Sequence, residues 1–222
     1  MSNDDQIRHS KALEAEIVRD PDEQAKIEAA NGVRQFDAVA EMIEYFSHPD
    51  RKFKLRPSHL LTLQRFALEG LNSYAGNWRP AGIEIGGSRH KPPGAHIVPE
   101  EVEHMCDYIN DNWGKSSPVH LAAYALWKLN WIHPFTDGNG RTARAISYLL
   151  LCLRLGYNLP GTNTIPEQIS NDKSPYYKAL EAADEAWAGN KIDLSKLEQL
   201  LSALLANQLV SVHQQAIGEK GA

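Results

Sequence analysis

Residues 130–144, NWIHPFTDGNGRTAR, are the most informative segment of the chain. A helical pattern leads into it from Ser117 and Pro118, where the serine is a good N-cap and the proline suits the first helical position. A second helical pattern follows at about residues 142–155, and Gly156 is a typical helix end. The sequence therefore predicts a glycine-rich loop that joins two helices and runs into the N-terminus of the second.

The glycine-rich part of this loop predicts an anion site. Gly138, Asn139 and Gly140 let the backbone adopt positive φ and turn successive N–H groups toward one point. The following helix aims the positive end of its dipole at the same point. Arg141 and Arg144 lie three residues apart on its first turn, so both can face this anion nest. Two arginines there indicate more than one phosphate group.

Two more residues of the loop suggest chemistry on those phosphates. Asp137 lies at the edge of the nest, and a single carboxylate beside phosphates is how proteins usually hold Mg²⁺. His133 ends the preceding helix, where it could take a proton from an incoming hydroxyl. Neither Ser nor Cys occupies the middle of the loop, so a covalent intermediate is not indicated. Each feature alone is common in turns and helix ends, but their joint occurrence favours a functional site.

Most of the remaining sequence predicts helix, because apolar residues recur at three- and four-residue steps. The predicted helices cover residues 8–31 with Gly32 as the stop, 33–47, a run that opens at Pro57, 99–112, 175–187 and 194–212. The leucines of the last helix predict packing on its own domain, with a contact in a homo-oligomer as the alternative. The fold class is therefore mainly α.

Residues 78–99 depart from the helical pattern, because they are rich in proline and glycine. Ile83, Glu84 and Ile85 alternate apolar and polar, two glycines follow, and residues 95–98 could return as a second strand. This pattern predicts a short β-hairpin, either a surface loop or a flap beside a site.

Composition excludes several classes of protein. The chain has 222 residues and a net charge of −5, which argues against general capture of nucleic acid or of an anionic membrane. Apolar runs are too short to span a bilayer, and the acidic N-terminus does not resemble a signal peptide. Cys106 and Cys152 lack the spacing of a redox or metal motif, so reduced thiols are expected. We therefore expect a cytoplasmic protein with neither nucleic-acid nor membrane partners.

The loop resembles the signature of the Fic family, HPFxDGNGRxxR, and matches it at every fixed position. Residues 82–93 resemble the family flap, and residues 176–183 resemble the segment that lines its adenine pocket. The similarity covers about residues 25–190. It implies a Fic-type helical bundle with a short β-hairpin flap beside the active-site loop.

The family transfers AMP from ATP to a Ser, Thr or Tyr hydroxyl of a target protein. The resemblance therefore implies a protein adenylyltransferase that uses ATP with Mg²⁺ and modifies a protein partner. It implies that His133 is the base and that Asp137 binds Mg²⁺. The implied nucleotide contacts are Gly138, Asn139 and Gly140 to the α- and β-phosphates, Arg141 to the β/γ end, Arg144 to the γ-phosphate, and Tyr177 and Leu180 to adenine.

Two further regions take their implied roles from the same resemblance. Asp184 stands where many relatives have Asn beside the adenine base. The flap residues Ile83, Glu84 and Ile85 would hold the target by strand addition.

Many family members block themselves with a Glu in the pattern Ser/Thr-x-x-x-Glu-Gly/Asn. Residues 24–29, QAKIEA, resemble it with Gln24 and Ala29 at the flanking positions, so Glu28 would pair with Arg144 and displace the γ-phosphate. The alternative is an ordinary solvated Glu. Within a single domain of residues 1–222, the division is then an inhibitory helix at 8–32, a catalytic core at 33–190 and a C-terminal helix at 191–222.

Other functions compete with AMP transfer. Relatives transfer phosphate, UMP or phosphocholine, or remove AMP. The intact residues 138–141 favour AMP transfer over phosphate transfer. A third class is a non-catalytic nucleotide-binding or toxin–antitoxin interaction module, against which the presence of His133 and Asp137 argues.

Overall fold

Eight α-helices make up most of the described part of the chain, residues 15–216 and 218 of a computed structural model. The mainly helical prediction is confirmed. The helices are α1 (Pro21–Ser47), α2 (Pro57–Leu68), α3 (Val98–Asp111), α4 (Pro118–Ile132), α5 (Asn139–Leu155), α6 (Ile165–Asn171), α7 (Ser174–Ala188) and α8 (Ser195–Ala216).

Helices α4 and α5 form the centre of the molecule and pack against each other along their lengths. Helix α4 is buried on nearly every side, as expected for a helix that is apolar all round, and most residues of α5 are buried as well. The helices α1 and α2 pack on α5, while α3, α7 and α8 pack on α4. The loop at residues 133–138 joins the two central helices, so two well-buried elements hold the predicted site at both ends.

The predicted start of α4 and the predicted end of α5 are confirmed. The Ser117 hydroxyl accepts a hydrogen bond from the His120 backbone N–H at 3.0 Å, and Pro118 opens the helix. Gly156 follows α5 with φ 87°, a left-handed conformation that glycine adopts without steric cost.

The first helix differs from the prediction, because Gly32 does not end it. Helix α1 continues from Pro21 to Ser47. Buried amides on either side of Gly32 hold it to α2: Asn31 Nδ2 donates to Glu69 O at 2.9 Å, and Gln35 Nε2 donates to Leu63 O at 2.9 Å. These tertiary contacts offset the roughly 1 kcal/mol that glycine costs within a helix. Residues 17–20 are not helical, and residues 8–14 of the predicted segment lie outside the described residues.

The predicted β-hairpin is not formed. Residues 83–85 lie in a loop, and Ala95–Ile97 form a 3₁₀ turn that leads directly into α3. Residues 95–98 begin a helix instead, which removes the second strand of the pairing that the alternation had suggested. Across residues 15–216, the β-type pairing is an isolated bridge between Glu16 and Asn72.

The C-terminal helix α8 packs on its own domain, as its leucines predicted. Leu197 and Leu201 are buried, and the helix contacts α4, α6 and α7. Gln208 is buried as well, and its amide donates to Pro160 O at 2.9 Å and accepts from the Ile165 N–H at 3.1 Å. Among the residues that the structure describes, no helix combines the length and the apolar character needed to cross a bilayer.

Candidate active site

His133 terminates α4 in a left-handed conformation, with φ 51° and ψ 58°. This turn directs its side chain back toward the helix it ends, where Nδ1 lies 3.2 Å from the Asn130 carbonyl oxygen. Because a carbonyl can only accept, Nδ1 carries the proton and Nε2 carries the lone pair of the neutral ring. The geometry therefore selects the tautomer in which Nε2 is basic.

Burial keeps this imidazole neutral. His133 is only 7% exposed, and burial is the largest cause that lowers its pKa to about 4. The hydrogen bond to Asn130 opposes that shift, while the positive charge of Arg79 and the neighbouring His90 add to it. At neutral pH the ring is therefore uncharged, which is the protonation state that a general base requires.

The shape of the loop depends on Asn139, the first residue of α5. Its Oδ1 accepts from the Phe135 N–H and its Nδ2 donates to the Phe135 carbonyl, both at 2.9 Å. Phe135 in turn is fully buried against Trp78. The Asn139 side chain thus closes the loop on itself.

Gly138 is required at its position for two reasons. Its φ is 77°, and a Cβ added there would lie 3.3 Å from Leu68 Cγ. The end of α2 therefore presses closely against the loop. This contact lets the N–H groups at the start of α5 approach a ligand without intervening side chains.

The two signature arginines occupy different environments. Arg141 pairs through Nη2 with Asp137 Oδ2 at 3.1 Å, and the other oxygen of Asp137 accepts from the Gly138 N–H at 2.6 Å. Arg144 points inward, so that its Nη1 lies 3.2 Å from where a Cβ on Gly140 would be. Burial lowers the pKa of the Arg144 guanidinium, and Tyr176 opposes that shift. Arginine nevertheless stays ionised in proteins.

Glu28 of α1 reaches this arginine pair, but not at the predicted partner. Its Oε1 lies 3.8 Å from Arg141 Nη1, so the ion pair is with Arg141 and not with Arg144. The reason is the path of α1, which Asn31 holds against α2.

These groups surround one cavity of about 430 Å³. Its lining contains most of the predicted site residues, namely Glu28, Ile85, His133, Asp137, Gly138, Asn139, Gly140, Arg141, Arg144, Tyr177, Leu180 and Asp184. Ile83 and Glu84 are not part of the lining. Asp184 is not directed only at the cavity, since its Oδ1 accepts from Trp127 Nε1 at 2.8 Å.

Sequence reasoning missed Arg79, which is 3% exposed. Its Nε donates to the His133 carbonyl and Nη1 to the Ala81 carbonyl, each at 2.8 Å, and Nη2 donates to the Pro93 carbonyl. This one side chain holds the loop at residues 79–93 against the end of α4. An arginine in a polar, proline-rich stretch normally reaches solvent, so nothing in the sequence marked it.

Gln64 was also missed, although a signal for it exists. It is fully buried on the face of α2 that carries Leu60, Leu63 and Leu68. Its Nε2 donates to the Asp137 carbonyl at 3.2 Å and its Oε1 accepts from the Gly76 N–H at 2.6 Å. A polar residue at a core position of a helix needs internal partners, and that requirement could have pointed to the loop.

The donor set at the cavity suits Mg²⁺ bound together with a substrate phosphate. Among the described residues, no three His, Cys, Asp or Glu side chains gather as a protein-only metal site. Asp137 offers a carboxylate from within the loop itself, with its side chain 25% exposed. One carboxylate with phosphate oxygens and water is the usual coordination of this ion.

Comparison with known proteins relates this chain to the Fic/DOC family. Residues 54–151 match the model of the Fic/DOC family. The "Protein adenylyltransferase Fic" of Drosophila willistoni is 36% identical over 137 residues, which are 61% of this chain and 26% of the relative. That of Drosophila mojavensis is 40% identical over 111 residues, 50% of this chain and 20% of the relative. The chain thus spans about a quarter of the length of such relatives.

Solved structures support the fold. A Fic domain containing signaling protein from Bacteroides thetaiotaomicron superposes with a TM-score of 0.66 at 23% identity, covering 86% of this chain and 74% of that one. A Fic family protein from Desulfovibrio desulfuricans gives 0.62 at 22% identity, covering 90% and 56%.

Proposed function

We propose that this chain, whose residues 54–151 form a Fic/DOC family domain, transfers AMP from ATP to a Ser, Thr or Tyr hydroxyl of a target protein. One observation carries the proposal: a neutral, buried His133 faces the same cavity as the anion nest at the start of α5. A base beside a phosphate site is the minimum that transfer from a nucleotide to a hydroxyl requires.

In the proposed reaction, the target hydroxyl oxygen attacks the α-phosphorus of ATP. Its proton passes to Nε2 of His133 while a bond forms between that oxygen and phosphorus. The bond from the α-phosphorus to the oxygen that bridges to the β-phosphate breaks, and pyrophosphate leaves. The Nδ1 contact with the Asn130 carbonyl holds the ring in the tautomer that this step needs.

We assign the nucleotide to the cavity as follows. The N–H groups of Gly138, Asn139 and Gly140 bind the α- and β-phosphates, which the helix dipole favours, and the Gly138 N–H exchanges its hydrogen bond to Asp137 for a phosphate oxygen. Arg141 binds the β/γ end and Arg144 the γ-phosphate. Adenine lies against Tyr177 and Leu180, with Asp184 beside it. The position of these residues around one cavity supports the assignment.

Asp137 would hold Mg²⁺ in this scheme. When bound, the ion neutralises charge on the phosphates and orients them for displacement. Asp137 would exchange its ion pair with Arg141 for this role, which frees the guanidinium for phosphate.

The loop at residues 83–85 is our candidate for docking the target chain. Ile85 borders the cavity near His133. Within the described part of the chain, the backbones of Ile83 and Glu84 have no hydrogen-bond partner, so an extended target segment could pair with them. Arg79 supports this loop, because its guanidinium donates hydrogen bonds to the carbonyls of Ala81 and Pro93.

We further propose that Glu28 restrains the enzyme through Arg141. The carboxylate pairs with a guanidinium that ATP needs, and it places negative charge where the β/γ end would lie. ATP must therefore displace an ion pair before it binds productively, which predicts low basal activity.

The test is incubation of the protein with cell lysate and ATP labelled at the α-phosphate, beside a parallel reaction labelled at the γ-phosphate. Label transferred to protein only from the α-position supports AMP transfer. Label transferred from the γ-position would identify a phosphate transferase instead. Calorimetric titration with ATP adds a control, because binding without any transfer would indicate a non-catalytic nucleotide-binding module.

A further inference from the structure

The connection between α1 and α2 carries a concentrated positive charge. Residues 51–56 read RKFKLR, four basic residues in six, within a chain of net charge −5. The side chains of Arg51, Lys52, Lys54 and Arg56 are exposed, whereas Leu55 is 1% exposed. We call residues 51–56 the basic strip.

The basic strip has the alternation of an extended strand. From Lys52 to Arg56, exposed basic residues alternate with the apolar Phe53 and Leu55, which face inward. Side chains on one face of such a strand recur at about 6.8 Å. Lys52, Lys54 and Arg56 therefore form a row of three regularly spaced cations.

The inward side of the strip is held firmly. The Leu55 N–H donates to Asn110 Oδ1 at 2.8 Å, and Asn110 Nδ2 donates to the Leu55 carbonyl at 3.0 Å. Phe53 stacks on His59 and packs against Trp113, with ring centroids 5.7 and 5.0 Å apart. A backbone fixed in this way loses little conformational entropy when the strip binds a partner.

The outward side of the strip is open. In an extended chain the peptide groups of successive residues point to opposite sides, so those of Lys54 point away from Asn110. In the part of the chain that the structure describes, the backbones of Lys52 and Lys54 have no hydrogen-bond partner and none of the four cations forms an ion pair. The Arg51 guanidinium instead lies 3.8 Å from the centroid of Tyr45.

We propose that the basic strip is a docking surface for an extended acidic segment of a protein partner. Carboxylates at alternate positions of such a segment repeat at the same spacing of about 6.8 Å as the three cations. The backbone of the segment would pair with that of Lys54. A nucleic acid fits less well, because the cationic row is short and the remainder of the molecule is net negative.

This surface is separate from the nucleotide cavity. The strip leads into the N-terminus of α2, while Leu68 at the other end of that helix packs against Gly138. The 12 residues of α2 span about 18 Å. Substitutions in the strip therefore leave the cavity intact, and binding can be measured without nucleotide.

The experiment titrates a fluorescein-labelled peptide, with four glutamates at alternate positions, by fluorescence anisotropy at about 50 mM salt. The variant Lys52→Glu/Lys54→Glu is compared with Lys178→Glu/Lys196→Glu, which changes the net charge equally at exposed sites on other helices. We expect about tenfold weaker binding for the strip variant and an affinity within about twofold of the parent for the control. Equal affinities of the two variants, or tighter binding of an oligothymidylate than of the peptide, would overturn the proposal.

Discussion

The Glu28 carboxylate of α1 lies 3.8 Å from the guanidinium of Arg141, at the entrance to the phosphate site. Arg141 also pairs with Asp137, so two carboxylates share one cation that a nucleotide would have to recruit. The ion pair is partly exposed, and pairs of this kind contribute about 0.2–1 kcal/mol. The block is therefore expected to be weak enough for ATP to overcome.

Replacement of Glu28 should relieve the proposed inhibition of ATP binding. We expect Glu28→Gly to raise self-labelling from α-labelled ATP up to about fivefold at low ATP, with a smaller gain near saturation, since the carboxylate competes with phosphate. Arg144→Ala should not mimic this effect, because that arginine is also needed for ATP.

Lys26→Gly is the matched control for loosening of α1, because Lys26 is exposed on the same helix. If Lys26→Gly activates as much as Glu28→Gly, the effect comes from the helix and not from the carboxylate. Equal labelling by the parent and Glu28→Gly at every ATP concentration would leave Glu28 without an inhibitory role.

Loss of the His133 side chain should lower the rate of AMP transfer without weakening ATP binding. We expect His133→Ala to lower transfer by about 10²–10⁴-fold, while the Kd for ATP measured by calorimetry changes little. The imidazole lies beside the anion nest and not within it, so its removal takes away no phosphate contact. Labelling by His133→Ala at the parental rate would show that another group takes the proton.

The buried imidazole also predicts a dependence of stability on pH. Burial lowers the pKa of His133 to about 4, below the 6.5 of an exposed histidine, so the unfolded state binds the proton more readily. This contribution to the free energy of unfolding is complete above pH 6.5 and is lost as pH falls from 6.5 toward 4. Urea unfolding at pH 7, 6 and 5 should show a steeper loss for the parent than for His133→Gln. Identical slopes would mean that His133 is not buried in its neutral form.

Removal of the Asp137 carboxylate should abolish activity that depends on Mg²⁺. We expect Asp137→Asn to transfer AMP at a rate close to that of the parent in EDTA, because no other carboxylate lies within residues 133–144. The measurement is the rate of labelling as a function of Mg²⁺ concentration. Full activity of the parent in EDTA would exclude the assigned role.

Two glycines provide a paired test of the backbone. Gly138→Ala should destabilise the protein by about 1–2 kcal/mol, because the residue has φ 77° and an added Cβ would lie 3.3 Å from Leu68. Gly32→Ala should stabilise it by about 0.5–1 kcal/mol, because Gly32 is helical and nothing lies within 4 Å of an added Cβ. Urea unfolding measures both, and equal effects would contradict the described backbone.

The two central helices and the loop between them could be predicted from the sequence alone. The helix start at Ser117, the glycine-rich loop and the helix end at Gly156 depend on neighbouring residues, so local rules sufficed to predict them. Arg141 and Arg144 could be brought to one point because residues three apart share a helix face, and Asp137 lies in the loop just before that helix. For these side chains, a short separation along the chain also means a short distance in the folded protein.

Tertiary structure decided what depends on contacts between distant segments. Gly32 stays helical because Asn31 and Gln35 bond to α2, and Glu28 meets Arg141 because those bonds set the path of α1. Arg79 reaches the carbonyl of His133, 54 residues further along the chain. No pattern in the sequence predicts such hydrogen bonds, because their partners are backbone groups that every residue carries. Only the folded chain determines which of those groups come within reach.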